Sequence, residues 1–193
     1  MRNGRREDKP DTGASTRRRL LSDGTLVKRA QRELPYATEA FERLMQRYNV
    51  VIYRTCRRLL ADHSDAEDAT QEIMLRVFHG LAGFEARAKF KTWLFRIVYN
   101  VCHTRWQHRA RETEFLRAYE QVVATQVSDD ANRFEVDHLL QQLSDIEREI
   151  VTLRFIAGLS LREIADILDV TLSAAKMRLY RAIEKLRPPK ECT

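Results

Sequence analysis

The sequence predicts an all-α protein of two small helical domains joined by a linker, the C-terminal one a helix-turn-helix. Three observations carry this. Between Thr25 and Ala157 the only glycines are Gly80 and Gly83 and the only proline is Pro35, so few residues interrupt a helix. Apolar residues recur three and four apart rather than in alternation. Ser64-x-x-Glu67, Ser144-x-x-Glu147 and Ser160-x-x-Glu163 each read as a capping box, in which a Ser oxygen and a Glu side chain satisfy free N–H groups.

The elements follow in order. Residues 1–22 are polar and Arg-rich, with Gly4, Pro10 and Gly13, and read as a disordered basic arm. Helices are predicted at 24–33, 35–60, 65–80, 92–117, 134–143, 145–157, 161–168 and 172–187. Pro35 suits a first helical turn, and Gly80 and Gly158 suit helix exits. Val50–Tyr53 has strand composition, but its flanks continue a helical period. Residues 116–133, with Ser128-Asp129-Asp130, form the expected linker between domains at 24–115 and 134–187.

Composition narrows the function classes. No apolar run approaches the ~18 residues of a membrane span. The N-terminus has no apolar stretch behind its charges, so a cytoplasmic protein without membrane insertion is expected. Cys56, Cys102 and Cys192 lie far apart and the five histidines make no H-E-x-x-H, so neither a disulfide framework nor a metal site is expected. No cofactor is expected either. With no G-x-S-x-G, P-loop or Gly-rich dinucleotide loop, the chain does not read as an enzyme. The formal net charge of +6 is unevenly placed. Residues 85–111 hold seven Lys/Arg against one Asp/Glu, and residues 112–150 hold three against ten. Separated basic blocks suggest more than one contact with a polyanion.

The C-terminal block is the clearest motif. Leu161, Ile164, Ala165 and Leu168 make the inner face of one short helix. Asp169-Val170-Thr171 turns the chain, and Leu172, Ala175, Leu179, Ile183 and Leu186 line the next. Ser173, Met177 and Arg181 lie opposite, flanked by Lys176 and Arg178. A major groove admits such a helix, and Arg and Lys contact phosphates or guanine edges there. Duplex DNA is the expected ligand.

A second block is basic and aromatic. Residues 84–93, from Phe84 through Arg87, Lys89 and Lys91 to Trp93, form a short loop that runs into a helix. Leu94, Val98 and Val101 face inward on that helix, and Arg96, Asn100, His103 and Gln107 share the other face. Cations for phosphate, rings for stacking and an amide for a base edge suit single-stranded DNA. Phe90, Trp93 and Phe95 are assigned to the core. In the helix 65–80, Ala66, Ala69, Ile73 and Val77 face inward. Asp68, Gln71, Glu72, Leu75 and His79 form the reverse face, an apolar residue ringed by polar ones that fits a helix-docking surface.

FKTWLFRIVYN, preceded by DAEDATQEIMLRVFHGLAGFEARAKF and followed by LSDIEREIVTLRFIAGLSLREIADILDVTLSAAKMRLYRAIEKL, resembles an extracytoplasmic function (ECF, group 4) sigma factor of the sigma-70 family. The resemblance spans about residues 24–187 and implies the short architecture of that group: sigma domain 2 plus sigma domain 4, without the middle domain of larger sigma factors. It implies that the first domain binds core RNA polymerase and melts the −10 element. Phe84–Lys91 matches the loop that receives a flipped-out base, and Asn100 matches a base-contacting Asn. Thr104 stands where a second Asn is often found. Asp68, Gln71, Glu72 and Leu75 lie on the helix that matches the one docking the β′ clamp helices. Lys176, Arg178 and Arg181 match DNA-facing positions of the −35 reader, Ser173 shares their helix, and Met177 is a less usual occupant. The implied partners are core polymerase (β′ clamp helices and β flap), promoter DNA as duplex and melted strand, and, for this group, an anti-sigma factor. The free chain is expected to be a monomer. The rival reading is a helix-turn-helix transcriptional regulator with an N-terminal helical sensor domain.

Overall fold

The computed structural model describes residues 21–60, 62–117 and 142–187. Most of the predicted arm (1–22), most of the linker (116–133) and most of the predicted helix 134–143 lie outside the described residues. The described residues form helices and no strand.

The N-terminal bundle consists of α1 (Asp23–Glu33), α2 (Glu39–Gln46), α3 (Asn49–Leu60), α4 (His63–Gly80) and α5 (Phe90–Arg117), with a short 3-10 turn at Leu81–Gly83. α4 is its centre. Ala66, Ala69, Ile73 and Val77 are buried at three- and four-residue spacing, as the pattern predicts. Two of the four are alanines, which lets α3 and α5 pack close against α4. Leu94, Phe95, Val98 and Val101 of α5 and Ile52 and Cys56 of α3 complete the core. Ile73 is fully buried among them. Replacing it with Ala should cost about 2–5 kcal/mol through lost contacts and a residual cavity. Urea unfolding followed by circular dichroism checks this, and an unchanged midpoint would contradict the assignment.

Two sequence expectations are corrected here. The predicted helix 35–60 is broken. Pro35 sits in the turn after α1 instead of starting a helix, and the next helix begins at Glu39. A second break separates α2 from α3 at Arg47–Tyr48. The bend lets both of those residues reach Asp23 at the start of α1: Arg47 Nη1 lies 2.6 Å from Asp23 Oδ1, and the Tyr48 hydroxyl donates to the other carboxylate oxygen. Val50–Tyr53 is helical, within α3. The Ser64 capping box does not form. Asp62 takes the cap, its Oδ1 accepting from the Asp65 N–H at 2.9 Å. A carboxylate answers the partial positive charge of a helix start better than a hydroxyl does.

The C-terminal unit consists of α6 (Asp145–Val151), a wide π turn at Thr152–Ile156, α7 (Leu161–Leu168) and α8 (Leu172–Lys185). The capping boxes at Ser144/Glu147 and Ser160/Glu163 both form. The predicted helix 145–157 is α-helical only to Val151. Ala157 N–H then donates to Thr152 O at 3.1 Å, five residues back. Gly158, at φ 63°, ends the turn in a conformation that glycine adopts without strain. Lys185 Nζ lies 2.7 Å from Glu147 Oε2 and ties the end of α8 to the start of α6.

The two units pack on each other. α3 meets the π turn and α6, and α5 meets α7. Ile150, Leu153, Leu159 and Ile164 are continuous with the core of the N-terminal bundle.

Candidate nucleic-acid interface

α8 is built to present one face. Asp169 ends α7 in the left-handed conformation at φ 52°, and Thr171 Oγ1 accepts from the Ala174 N–H at 3.1 Å to start α8. Ala175, Leu179 and Ala182 are buried, while Leu172, Ile183 and Leu186 sit at the edge of the core. Ser173, Lys176, Met177 and Arg181 are exposed together, with Met177 at 54%. Arg178 differs from them: it is half-buried, and its charge reaches the Tyr99 phenol of α5. Tyr180, 69% exposed, stands on the same open face and was missed by sequence reasoning. Its position three residues after Met177 and seven after Ser173 was the available signal.

The loop before α5 is anchored at its base. Gln31 Nε2 donates to Leu81 O at 3.0 Å and to Phe84 O at 2.8 Å. The Phe84 ring packs 5.0 Å from Trp93 and 6.0 Å from Phe90, so it belongs to an aromatic cluster. Phe90 and Phe95 are buried as expected, and Trp93 is half-buried. Beyond the cluster, Arg87 is exposed and paired with Glu85 at 2.6 Å. Asn100 is exposed on α5.

The other cations predicted for this surface face the C-terminal unit. Lys91 Nζ donates to Gly158 O at 3.0 Å. Arg96 Nη2 donates to Asp166 O at 2.6 Å. Lys89 Nζ lies 3.7 Å from Glu163 Oε1, which also accepts from the Thr92 hydroxyl at 2.9 Å. Burial opposes ionisation of Glu163, but the Ser160 N–H and hydroxyl, the Thr92 hydroxyl and Lys89 together hold its pKa at about 2. His103 is stacked between Tyr99 and Trp106, and its Nδ1 lies 3.6 Å from Glu149. Burial raises the Glu149 carboxyl above its ordinary range despite His103, and burial beside Glu149 pushes Tyr99 up to about 12. Between the loop and α7 lies an open groove of about 720 Å³, with Arg87 and Arg96 on one wall and Asp166 and Asp169 on the other. Of the seven residues predicted for the melted strand, Lys89, Lys91, Arg96 and His103 therefore contact the C-terminal unit.

On α4, Asp68, Gln71 and Leu75 are exposed, Leu75 at 61%. Glu72 is engaged within the bundle, 2.6 Å from Arg76 and 2.8 Å from Arg105. Among the described residues no group of three His, Cys, Asp or Glu could hold a metal ion, and no helix is long and apolar enough to cross a membrane.

Comparison with known proteins matches residues 44–112 to sigma-70 region 2 and residues 133–186 to sigma-70, region 4. The ECF RNA polymerase sigma factor SigW of Bacillus subtilis is 33% identical over 164 residues, covering 77% of this chain and 88% of SigW. The RNA polymerase sigma-H factor of Pseudomonas aeruginosa is 28% identical, covering 85% of this chain and 91% of that protein. Among solved structures, CnrH in complex with the cytosolic domain of CnrY has a TM-score of 0.64 at 26% identity, covering 85% of this chain and 94% of that one.

Proposed function

The chain belongs to the extracytoplasmic function group of the sigma-70 family, and from that premise we propose which of its residues grip polymerase and promoter, and how. As an RNA polymerase sigma factor it binds core polymerase and promoter DNA and directs initiation. The match of residues 44–112 to sigma-70 region 2 disfavours the rival reading, a regulator with an N-terminal sensor. The family is not one of enzymes, and we extend that, and a cytoplasmic location, to this chain.

In the proposal, the domain at 24–115 captures the melted −10 strand with Arg87, Lys89, Lys91, Arg96, Asn100 and His103. Phe84 shapes the base-receiving pocket from the aromatic cluster. The domain at 134–187 sets α8 in the −35 major groove through Ser173, Lys176, Met177 and Arg181, with Tyr180 beside them. Arg178 joins them once it leaves Tyr99. The observation that carries this reading is the division of labour in charge and exposure. One helix presents cations on an open face for duplex, while a loop and helix combine cations, rings and an amide for unpaired bases. The four loop and α5 residues that contact the C-terminal unit are freed when the two units part on polymerase. The proposal includes a protein partner, because CnrH has been solved with the cytosolic domain of CnrY, and the family resemblance makes that partner an anti-sigma factor.

Polymerase docking uses Asp68, Gln71 and Leu75, with Glu72 orienting Arg105. Replacing both Gln71 and Leu75 with Ala should weaken core polymerase binding by about tenfold or more, since a central apolar contact is worth roughly 1–2 kcal/mol. Both side chains are solvent-facing, so thermal stability should stay within about 0.5 kcal/mol of wild type. Competition for core enzyme against a labelled copy of the wild-type chain reads the effect, and equal competition by the double variant would remove α4 from the docking role.

A further inference from the structure

Neither polymerase docking nor DNA capture uses the two cysteines buried in the N-terminal bundle. Cys56 on α3 and Cys102 on α5 are 46 positions apart in sequence, and their sulfurs lie 3.7 Å apart. Both are free and buried. Cysteines buried singly among apolar neighbours behave as small inert hydrophobes. This pair differs in two ways. The sulfurs touch each other: the Cys102 thiol donates to Cys56, and that bond, with the Arg105 guanidinium nearby, favours the Cys56 thiolate, while the same bond and burial push Cys102 up. Cys102 also lines a cleft of about 20 Å³, together with Leu59, Tyr99, His103, Trp106 and Glu149. A space of that size holds one molecule as small as water or hydrogen peroxide.

We propose that Cys56 and Cys102 are a two-electron redox site that a peroxide oxidises to a disulfide, stapling α3 to α5. When the pair has lost one proton, the remaining proton can move along the hydrogen bond to Cys56, leaving the thiolate on Cys102, the sulfur that lines the cleft. The Cys102 thiolate attacks one peroxide oxygen, the O–O bond breaks and hydroxide leaves, giving a sulfenic acid on Cys102. The Cys56 sulfur then displaces the sulfenic oxygen, which departs with the Cys56 proton as water. The two sulfurs supply both electrons, and the peroxide is reduced to hydroxide and water. To reach a bond length of about 2.05 Å the sulfurs approach by roughly 1.7 Å, a shift that side-chain rotation and small helix movements supply. The resulting ring encloses all of α4 and the loop before α5, so it constrains the unfolded chain and raises the stability of the bundle.

The test uses the full chain with Cys192→Ser, which removes the third thiol. The reduced protein is treated with hydrogen peroxide, then denatured, alkylated and digested. A linked peptide containing Cys56 and Cys102, lost on treatment with dithiothreitol, is expected. The apparent Tm of the oxidised chain should rise by roughly 5–15 °C and return on reduction. Cys56→Ala should leave a sulfenic acid on Cys102 that dimedone labels. Because the linked peptide is read on the intact pair, the test stands even where that variant fails to fold. Quantitative alkylation of both thiols after peroxide, a sulfinic acid without a link, or a link only between chains would overturn the proposal.

Discussion

Alanine at both Lys176 and Arg181 is expected to reduce promoter-directed transcription roughly a hundredfold. Each side chain extends from the open face of α8, and each lost phosphate or base contact costs about 1–3 kcal/mol. The two positions are five residues apart, about 7.5 Å along the helix axis, so their losses should add nearly independently. About 3 kcal/mol in total is a little over two decades in affinity. Neither residue is buried, and Ala is the best helix former, so α8 itself should persist. The measurement is run-off transcription with purified core enzyme, paired with a core-binding assay. Transcription should fall while core binding holds, and the salt dependence of duplex binding should flatten as two phosphate partners are removed. Wild-type transcription in the double variant would take α8 out of the −35 role.

What the sequence made legible, and what it hid, follows the reach of each interaction. The buried stripe of α4 was readable residue by residue, because Ala66, Ala69, Ile73 and Val77 face one continuous core and Leu75 faces away from it. α7 was read less well. Ile167 is buried, while Leu161 and Leu168 are only partly covered. That helix packs on both α5 and α8, so its inner face is set by two neighbours, and a single-stripe reading sees one. The break at Arg47–Tyr48 was hidden because local period alone favours a continuous helix. The bend is held by Asp23, some 25 residues earlier. The contacts of Lys91 with Gly158, Thr92 with Glu163 and Arg96 with Asp166 join residues about 70 apart. Hydrophobic period carries no information about such pairs. The candidate DNA-facing residues were therefore identifiable by type and spacing, while their engagement with the other domain was not.

That engagement sets the second large expectation: a cross-link that holds the two units together should abolish promoter-directed transcription. The names of the −10 and −35 elements place them about 25 base pairs apart, roughly 85 Å of duplex. A compact chain of this length has a radius of gyration of about 16 Å, too small to touch both elements at once. Beyond the end of α5, the sixteen linker residues 118–133 could span roughly 50 Å if fully extended, and the two domains add their own widths, so an opened chain reaches. Closure also occupies Lys91 and Arg96 with backbone carbonyls of the C-terminal unit, and each of those bonds must break before the side chain meets a phosphate. Thr92 and Glu163 meet across the contact at 2.9 Å, and neither is assigned to DNA or polymerase. With Cys192→Ser, the pair Thr92→Cys and Glu163→Cys can be joined by a short bismaleimide carrying a cleavable bond. The uncross-linked double variant should transcribe close to wild type, since beyond the closing contacts it loses only half of the α7 capping box, worth about 1 kcal/mol, and none of the residues proposed to face DNA. The joined form should be inactive, and cleaving the linker should restore activity. Full transcription by the joined form would mean that the closed arrangement is itself competent, and the opening step would fall with it.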